Sequence, residues 1–218
     1  MSTALHQYYA ARAAEYDRVY DKPERQPDLR AIAQWLPQVL GGRRILEIAC
    51  GTGHWTQFLA PVANGMLALD ASHETLRIAQ SRVQAGAVGF VRGDAYRLPV
   101  AQQKFDGAFA GFWYSHIPQR RVREFVQGLH ATLLPGAKVV LLDNRFVEGS
   151  STPIAERDAA GDTYQWRTLE DGSRHRVLKN FPSERALREA VAGLADEVRV
   201  HQWPYFWALE YVAGAQAS

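Results

Sequence analysis

Cysteine is almost missing from this 218-residue chain: Cys50 stands alone, so no internal disulfide can brace the fold. Long apolar runs are missing too. The longest are strand-sized, well short of the roughly 18 residues that a membrane helix needs. Met1 to Arg12 hold no apolar stretch of the kind a secretory signal requires. A reduced, cytoplasmic setting with no membrane partner is the expectation. Charge of one sign is equally scarce. The 25 basic and 23 acidic side chains leave a formal +2, so the bulk composition encodes neither a polyanion-binding surface nor an acidic tail. No internal repeat or low-complexity tract occurs. The length fits one large domain and excludes two enzymatic ones.

What the chain does have is alternation. From residue 44 onward short apolar runs alternate with helix-period segments, the pattern of a mostly parallel sheet covered by helices, so the fold class is α/β. Arg44 to Cys50 reads as the first strand. It ends in a glycine turn, and Trp55, Phe58, Leu59 and Val62 follow at amphipathic-helix spacing. Met66 to Leu69 is the second strand, Glu74 to Val83 a helix, Val88 to Val91 a short third strand and Phe105 to Phe112 the fourth. A helix with Val122, Phe125, Val126 and Leu129 on its apolar face follows Pro118, and Pro135-Gly136 should stop it. Lys138 to Asp143 is a continuous apolar run suited to a sheet buried on both faces.

The last helix opens at Ser183, a partial capping box because position three is Ala186, and carries Leu187, Ala190, Val191 and Leu194 on one face. Glu197 to Gln202 and Tyr205 to Tyr211 then close the chain. Their short link through Pro204 cannot hold a crossover helix, so they form an antiparallel pair and complete a seven-stranded sheet. Two stretches lie outside the alternation. Residues 1–43 read as a helical cap, with Tyr9, Tyr16 and Tyr20 on one stripe and a short helix over Asp28 to Trp35. Residues 145–182 contain a hairpin, Thr163 to Lys179, turning at Asp171-Gly172, which would set Trp166 opposite Val177 and Thr168 opposite His175. The cofactor-binding core is then 44–144 with 183–218, and the hairpin insertion is a candidate acceptor lid.

Glu47-Ile48-Ala49-Cys50-Gly51-Thr52-Gly53 joins a buried strand to a helix, where glycines allow a tight turn and a close approach of backbone to ligand. Asp70 ends the second strand 19 residues beyond Gly51, where a carboxylate can accept both hydroxyls of a ribose. A nucleoside-containing ligand is implied. A dinucleotide is not favoured, because Thr56 stands where its pyrophosphate needs a third glycine. Glu47 lies inside an apolar strand, where an unpartnered carboxylate is costly, so a functional partner is expected.

Glu47-x-x-x-Gly51-x-Gly53, Leu69-Asp70, Gly93-Asp94-Ala95 and the Leu134-Pro135-Gly136 before strand five together resemble the Rossmann-like S-adenosylmethionine-dependent methyltransferases, over roughly residues 5–143. The resemblance implies that Gly51 and Gly53 pack under the methionine part of the cofactor and that Glu47 orients its amino group. It further implies that Asp70 holds the ribose, that the adjoining Ala71 also contacts the cofactor, that Asp94 holds the adenine amino group and Ala95 a ring nitrogen through its backbone, and that Phe112 lines the methionine side. In relatives with a Tyr-Asp-x-x-Tyr start, a tyrosine such as Tyr20 folds over the cofactor.

On the acceptor side, methyl transfer from a sulfonium relies on in-line approach, and a histidine near the methyl suits an acceptor that must lose a proton. His116, at the carboxyl end of strand four, is the candidate catalytic residue; capping the following helix is its other reading. Asn144 and Arg145, leaving strand five beside Asp143, could hold polar groups of an acceptor. Trp113, Tyr114, Tyr164 and Trp166 offer aromatic surface for a small, flat or heterocyclic molecule. A small-molecule acceptor methylated at oxygen or nitrogen is the main reading, with no metal. Nucleic-acid or protein methylation, a non-methylating cofactor binder, and a nicotinamide oxidoreductase are the alternatives; a homodimer is compatible with the composition.

Overall fold

Arg44–Ile48 forms β1, and its interior residues are buried because strands flank it on both edges. In this computed structural model residues 17, 20–84, 87–100 and 104–214 are described. Parallel to β1 run β2 (Gly65–Asp70) on one side and β4 (Phe105–Gly111) on the other. β3 (Val88–Arg92) extends the sheet beyond β2, and β5 (Leu133–Asn144) beyond β4. The last two strands, β9 (Ala195–Gln202) and β10 (Phe206–Ala213), are antiparallel, giving the order β3-β2-β1-β4-β5-β10-β9. The seven-stranded, mostly parallel α/β sheet with its antiparallel end is the expected fold.

Helices cover both faces. On one face α1 (Gln26–Leu40) buries Leu29, Ile32, Leu36 and Leu40, which pack with Ile45, Phe109, Val140 and Phe206 of the sheet. On the other lie α4 (Val122–His130) and α5 (Glu184–Val191), whose Phe125, Leu129, Leu187 and Val191 join Leu46, Ala108 and Leu141. α2 (Thr56–Leu59) and α3 (His73–Arg82) complete the first two crossovers. Ser72 caps α3 by accepting the Thr75 N–H, and Ser183 caps α5 by accepting the Ala186 N–H despite its imperfect box.

Four boundaries differ from the sequence reading. α1 runs five residues past Trp35 because its apolar stripe continues through Pro37, whose missing N–H removes only one intrahelical bond. α2 is a single turn, and Val62 is 39% exposed rather than buried, because the chain folds back to let the Val62 carbonyl accept the Gly42 N–H. α4 stops at His130, before Pro135-Gly136, and that dipeptide sits in an irregularity of β5 between the pairs Phe105–Leu133 and Gly107–Lys138. The hairpin, β7 (Thr163–Thr168) and β8 (Arg174–Leu178), pairs Trp166 with Arg176 and Thr168 with Arg174, one residue off the expected register. The turn uses three residues, Glu170 to Gly172, with Gly172 at φ +82; a type I turn followed by a left-handed glycine makes such a loop. β6 (Glu156–Arg157) adds a third strand to this small sheet. Tyr9 and Tyr16 lie outside the described residues.

Candidate active site

The site lies at the carboxyl ends of the parallel strands. Ala49 follows β1 at φ 56 and Phe112 follows β4 at φ 59; a non-glycine residue there costs on the order of 1 kcal/mol and tends to persist at functional positions. Between them the glycine turn is fixed by packing. Gly53 has φ +78, and a Cβ on it would come 3.0 Å from Ala79 Cβ, so a side chain there would be strained and would crowd α3. The Gly51 N–H donates to Asp70 Oδ2 at 2.9 Å, tying the turn to the end of β2. Asp70 Oδ1 accepts the Ser72 N–H and the Thr75 hydroxyl. Each carboxylate oxygen has two lone pairs, so Oδ2 retains accepting capacity toward a ribose hydroxyl.

Glu47 is buried with one hydrogen bond, from the Thr56 hydroxyl at 2.6 Å, and burial pushes its carboxyl up to about 8. Thr56, which argued against a pyrophosphate, is thus the partner of Glu47. No cation among the described residues pairs with this acid. A cationic amino group is what it lacks, and the methionine part of S-adenosylmethionine carries one. Asp94 accepts the Tyr96 N–H at the start of its own turn, beside buried Ala95, and the Ala71 carbonyl accepts from Arg92. The residues present fit the cofactor.

Tyr20 closes over this half. Its ring stacks on His54 with centroids 3.5 Å apart and on Phe112 at 5.6 Å, and Phe112 continues the stack onto Phe206 at 5.7 Å. Burial lowers His54 to about 4, so it stacks as a neutral ring. Asp17, which the sequence reading passed over, accepts the Thr52 hydroxyl and pairs with Arg82 of α3. Both ends of the Asp17-x-x-Tyr20 segment therefore bear on the glycine turn.

A buried polar cluster fills the acceptor half. Lys179, one residue beyond β8, donates to Asp143 Oδ1 at 2.8 Å and Ser115 Oγ at 2.6 Å, while Asp143 Oδ2 accepts the Ser115 N–H. Burial opposes ionisation of Asp143, yet the Lys179 ammonium and the N–H donors hold its carboxyl at about 2. Asn144 donates its side-chain amide to Asp143 Oδ1 and accepts from Arg25 at 2.9 Å. His116 is buried, and its Nδ1 lies 2.6 Å from the Leu178 carbonyl. A carbonyl only accepts, so Nδ1 carries the hydrogen and the lone pair sits on Nε2. Burial, then the charges of Lys179 and Arg167, push the imidazole well below its ordinary range and keep it neutral. Asn180 locks the hairpin to this loop: its N–H donates to the Ser115 carbonyl and its amide to Ile117 O and Asp162 Oδ1.

Of the expected acceptor residues, His116 and Asn144 converge here and five others do not. Trp113 and Tyr114 turn into the α4–α5 core, against Tyr96 and Phe125 and against Trp207. Tyr164 and Trp166 project from the outward face of the hairpin, where Tyr164 donates to Asp158 under the Arg176 guanidinium and Trp166 donates to Glu156. The one-residue register shift leaves Thr163, Gln165 and Val177 as the buried positions. Arg145 is exposed, with its guanidinium on the Trp203 carbonyl. Arg25, Ser115 and Lys179 were not foreseen; the readable signal for Lys179 was strand alternation, which puts it on the inward side with Val177.

Residues 45–136 match the family described as methyltransferase domain. The chain has the seven-stranded fold of the Rossmann-like S-adenosylmethionine-dependent methyltransferases and carries the matched domain, the features by which it is similar to that class. It is similar over 99% of its length to all of the DhpI chain in a complex with S-adenosylhomocysteine, with TM-score 0.79 and 28% identity. Among curated relatives, the O-methyltransferase rstn1 of Aspergillus nomiae is 28% identical over 62% of this chain and 64% of its own. The demethylmenaquinone methyltransferase of Geobacillus kaustophilus is 26% identical over 64% of this chain and 62% of its own. The chain thus spans a little under two thirds of these two relatives. No helix among the described residues is long and apolar enough to cross a membrane.

Proposed function

We propose that this protein transfers the methyl group of S-adenosylmethionine to an oxygen or nitrogen of a small acceptor. The observation that carries the reading is the pairing of a cation-lacking, buried Glu47 beside the glycine turn with a second buried polar cluster at the ends of β4 and β5, closed over by Tyr20 and the hairpin. The cofactor brings a methyl already activated on sulfur, so the chain's share is proximity, orientation and exclusion of water. Glu47 binds the amino group, Asp70 the ribose, and Asp94 with Ala95 the adenine. Phe112 and Tyr20 wall the methionine side.

Asn144 and Ser115 orient the acceptor, and neutral His116, with its lone pair on Nε2, takes the proton that a hydroxyl or amine acceptor releases. The near-neutral net charge of +2 supports a small molecule over nucleic acid. Mass spectrometry of ligand released from purified protein tests the cofactor: S-adenosylmethionine or its demethylated product is expected, and a nicotinamide dinucleotide would overturn the reading. Incubation with the cofactor and a panel of small phenols, carboxylates, heterocycles and amines, scored for a mass gain of one methylene, then tests transfer.

A further inference from the structure

Cations gather at the carboxyl end of β5. Arg25 is 4% exposed, yet among the described residues its guanidinium bonds only to neutral oxygens: Asn144 Oδ1, Ser150 Oγ and the Ser150 carbonyl. Lys22 donates to that same carbonyl. Lys179 lies two links away, through Asn144 and Asp143, and the charges of Arg25 and Arg167 both act on it. The acids facing them are committed elsewhere. Asp143 carries Lys179, Glu24 accepts the Ser150 hydroxyl at the exposed rim, and Asp28 accepts the Tyr205 N–H. A guanidinium taken out of water without a carboxylate against it is costly, and an entering anion would offset that cost.

Donors remain for such a guest. Arg25 has five N–H groups and makes four hydrogen bonds, which leaves one N–H on Nη1, and Lys179 has three and makes two. The cluster also adjoins the cofactor half directly: the Arg25 guanidinium lies 5.9 Å from the centre of the Phe206 ring, on which Phe112 stacks.

We propose that the methyl acceptor carries an oxyanion, a carboxylate or a phosphate-type group, anchored by Arg25 and Lys179. The inference rests on the methyl-transfer reading above. Arg25 offers its remaining Nη1 N–H and its charge, Lys179 a third ammonium N–H beside Ser115, and His116 stands next to Lys179 on the side of β4. Specificity for the charged end of the acceptor is then set by residues of the N-terminal cap and the hairpin, not by the sheet.

The test is calorimetric titration of full-length protein saturated with S-adenosylhomocysteine, using benzoate, phenylphosphonate and benzyl alcohol as probes. At least one anion should bind about tenfold or more tighter than the neutral alcohol, and which one does separates a carboxylate acceptor from a phosphate-type one. Arg25→Gln and Lys179→Met should each abolish that preference; Arg25→Gln keeps a polar side chain, leaves the Asp143–Lys179 pair intact and serves if the lysine variant does not fold. Equal binding of the three probes, or an undiminished preference in Arg25→Gln, overturns the proposal. So does a loss of S-adenosylhomocysteine affinity in Arg25→Gln with the preference intact, which would assign the guanidinium to the cofactor's own carboxylate. Failure of the unmodified protein to bind S-adenosylhomocysteine counts instead against the methyl-transfer reading itself.

Discussion

The two halves of the site are built in opposite ways. In the cofactor half the decisive bonds are short-range: Thr56 reaches Glu47 across 9 positions and Gly51 reaches Asp70 across 19, all within one strand–helix–strand unit. In the acceptor half Lys179 reaches Asp143 across 36 positions and Ser115 across 64, and Arg25 reaches Asn144 across 119. A single βαβ unit supplies the glycine turn, Glu47 and Asp70 wherever it occurs. The second exists only once the cap, the sheet and the hairpin have assembled, which frees it to differ between proteins that share the first.

Breaking the long-range half should have the largest effect on the molecule as a whole. Lys179→Met strands a buried carboxylate, and urea unfolding should register a loss of about 3–5 kcal/mol. The pH dependence should change sign with it. In the parent the depressed Asp143 contributes stability above the ordinary carboxylate range that is lost as pH falls toward about 2. In the variant that carboxyl is raised, so lowering the pH should stabilise it. Adding Asp143→Leu should restore much of the loss, since a well-packed apolar pair often replaces a buried ion pair without penalty.

Breaking the short-range half should act on ligand more than on fold. Asp70→Ala removes a hydrogen bond from the ribose to a charged group, and calorimetry should show S-adenosylhomocysteine binding weakened roughly 10- to 100-fold. Unchanged affinity would dismiss the ribose assignment. A subtler effect sharpens the role of Glu47. With its carboxyl near 8 it is mostly protonated at pH 7, and a cationic amino group beside it favours ionisation, so cofactor binding should release up to about one proton. Calorimetry in buffers of different ionisation enthalpy measures this, and Glu47→Gln should remove it. The smallest effect is expected on the outward face of the hairpin. Trp166→Ala, at a 41% exposed position, should shift stability by no more than about 0.5 kcal/mol and leave methyl transfer unchanged; a large loss of turnover would return Trp166 to the acceptor site.

The contrast also explains what could be read in advance. Strand five, the glycine turn and the antiparallel end follow from apolar runs, turn residues and link lengths, all properties of neighbouring positions. Residues of the cofactor half fall at fixed places relative to strand ends, so Glu47, Gly51, Gly53 and Asp70 could be named together. The aromatics of the acceptor side could not be sorted the same way. Trp113 and Tyr114 adjoin the site in sequence yet face the core, because the 3₁₀ turn Tyr114–His116 after β4 turns their rings toward α4 and Trp207. Tyr164 and Trp166 depended on a register that one extra turn residue shifted.

By itself the sequence determined the class of fold, the strand-end cofactor motif and the place of the hairpin, because periodicity, glycine conformation and short connections act locally. Only the tertiary structure decided that Arg25, Asp143, Ser115 and Lys179 meet, since residues so far apart are joined by the packing of whole elements. The charges of Asp143 and Lys179 are tolerable in the interior only in each other's company.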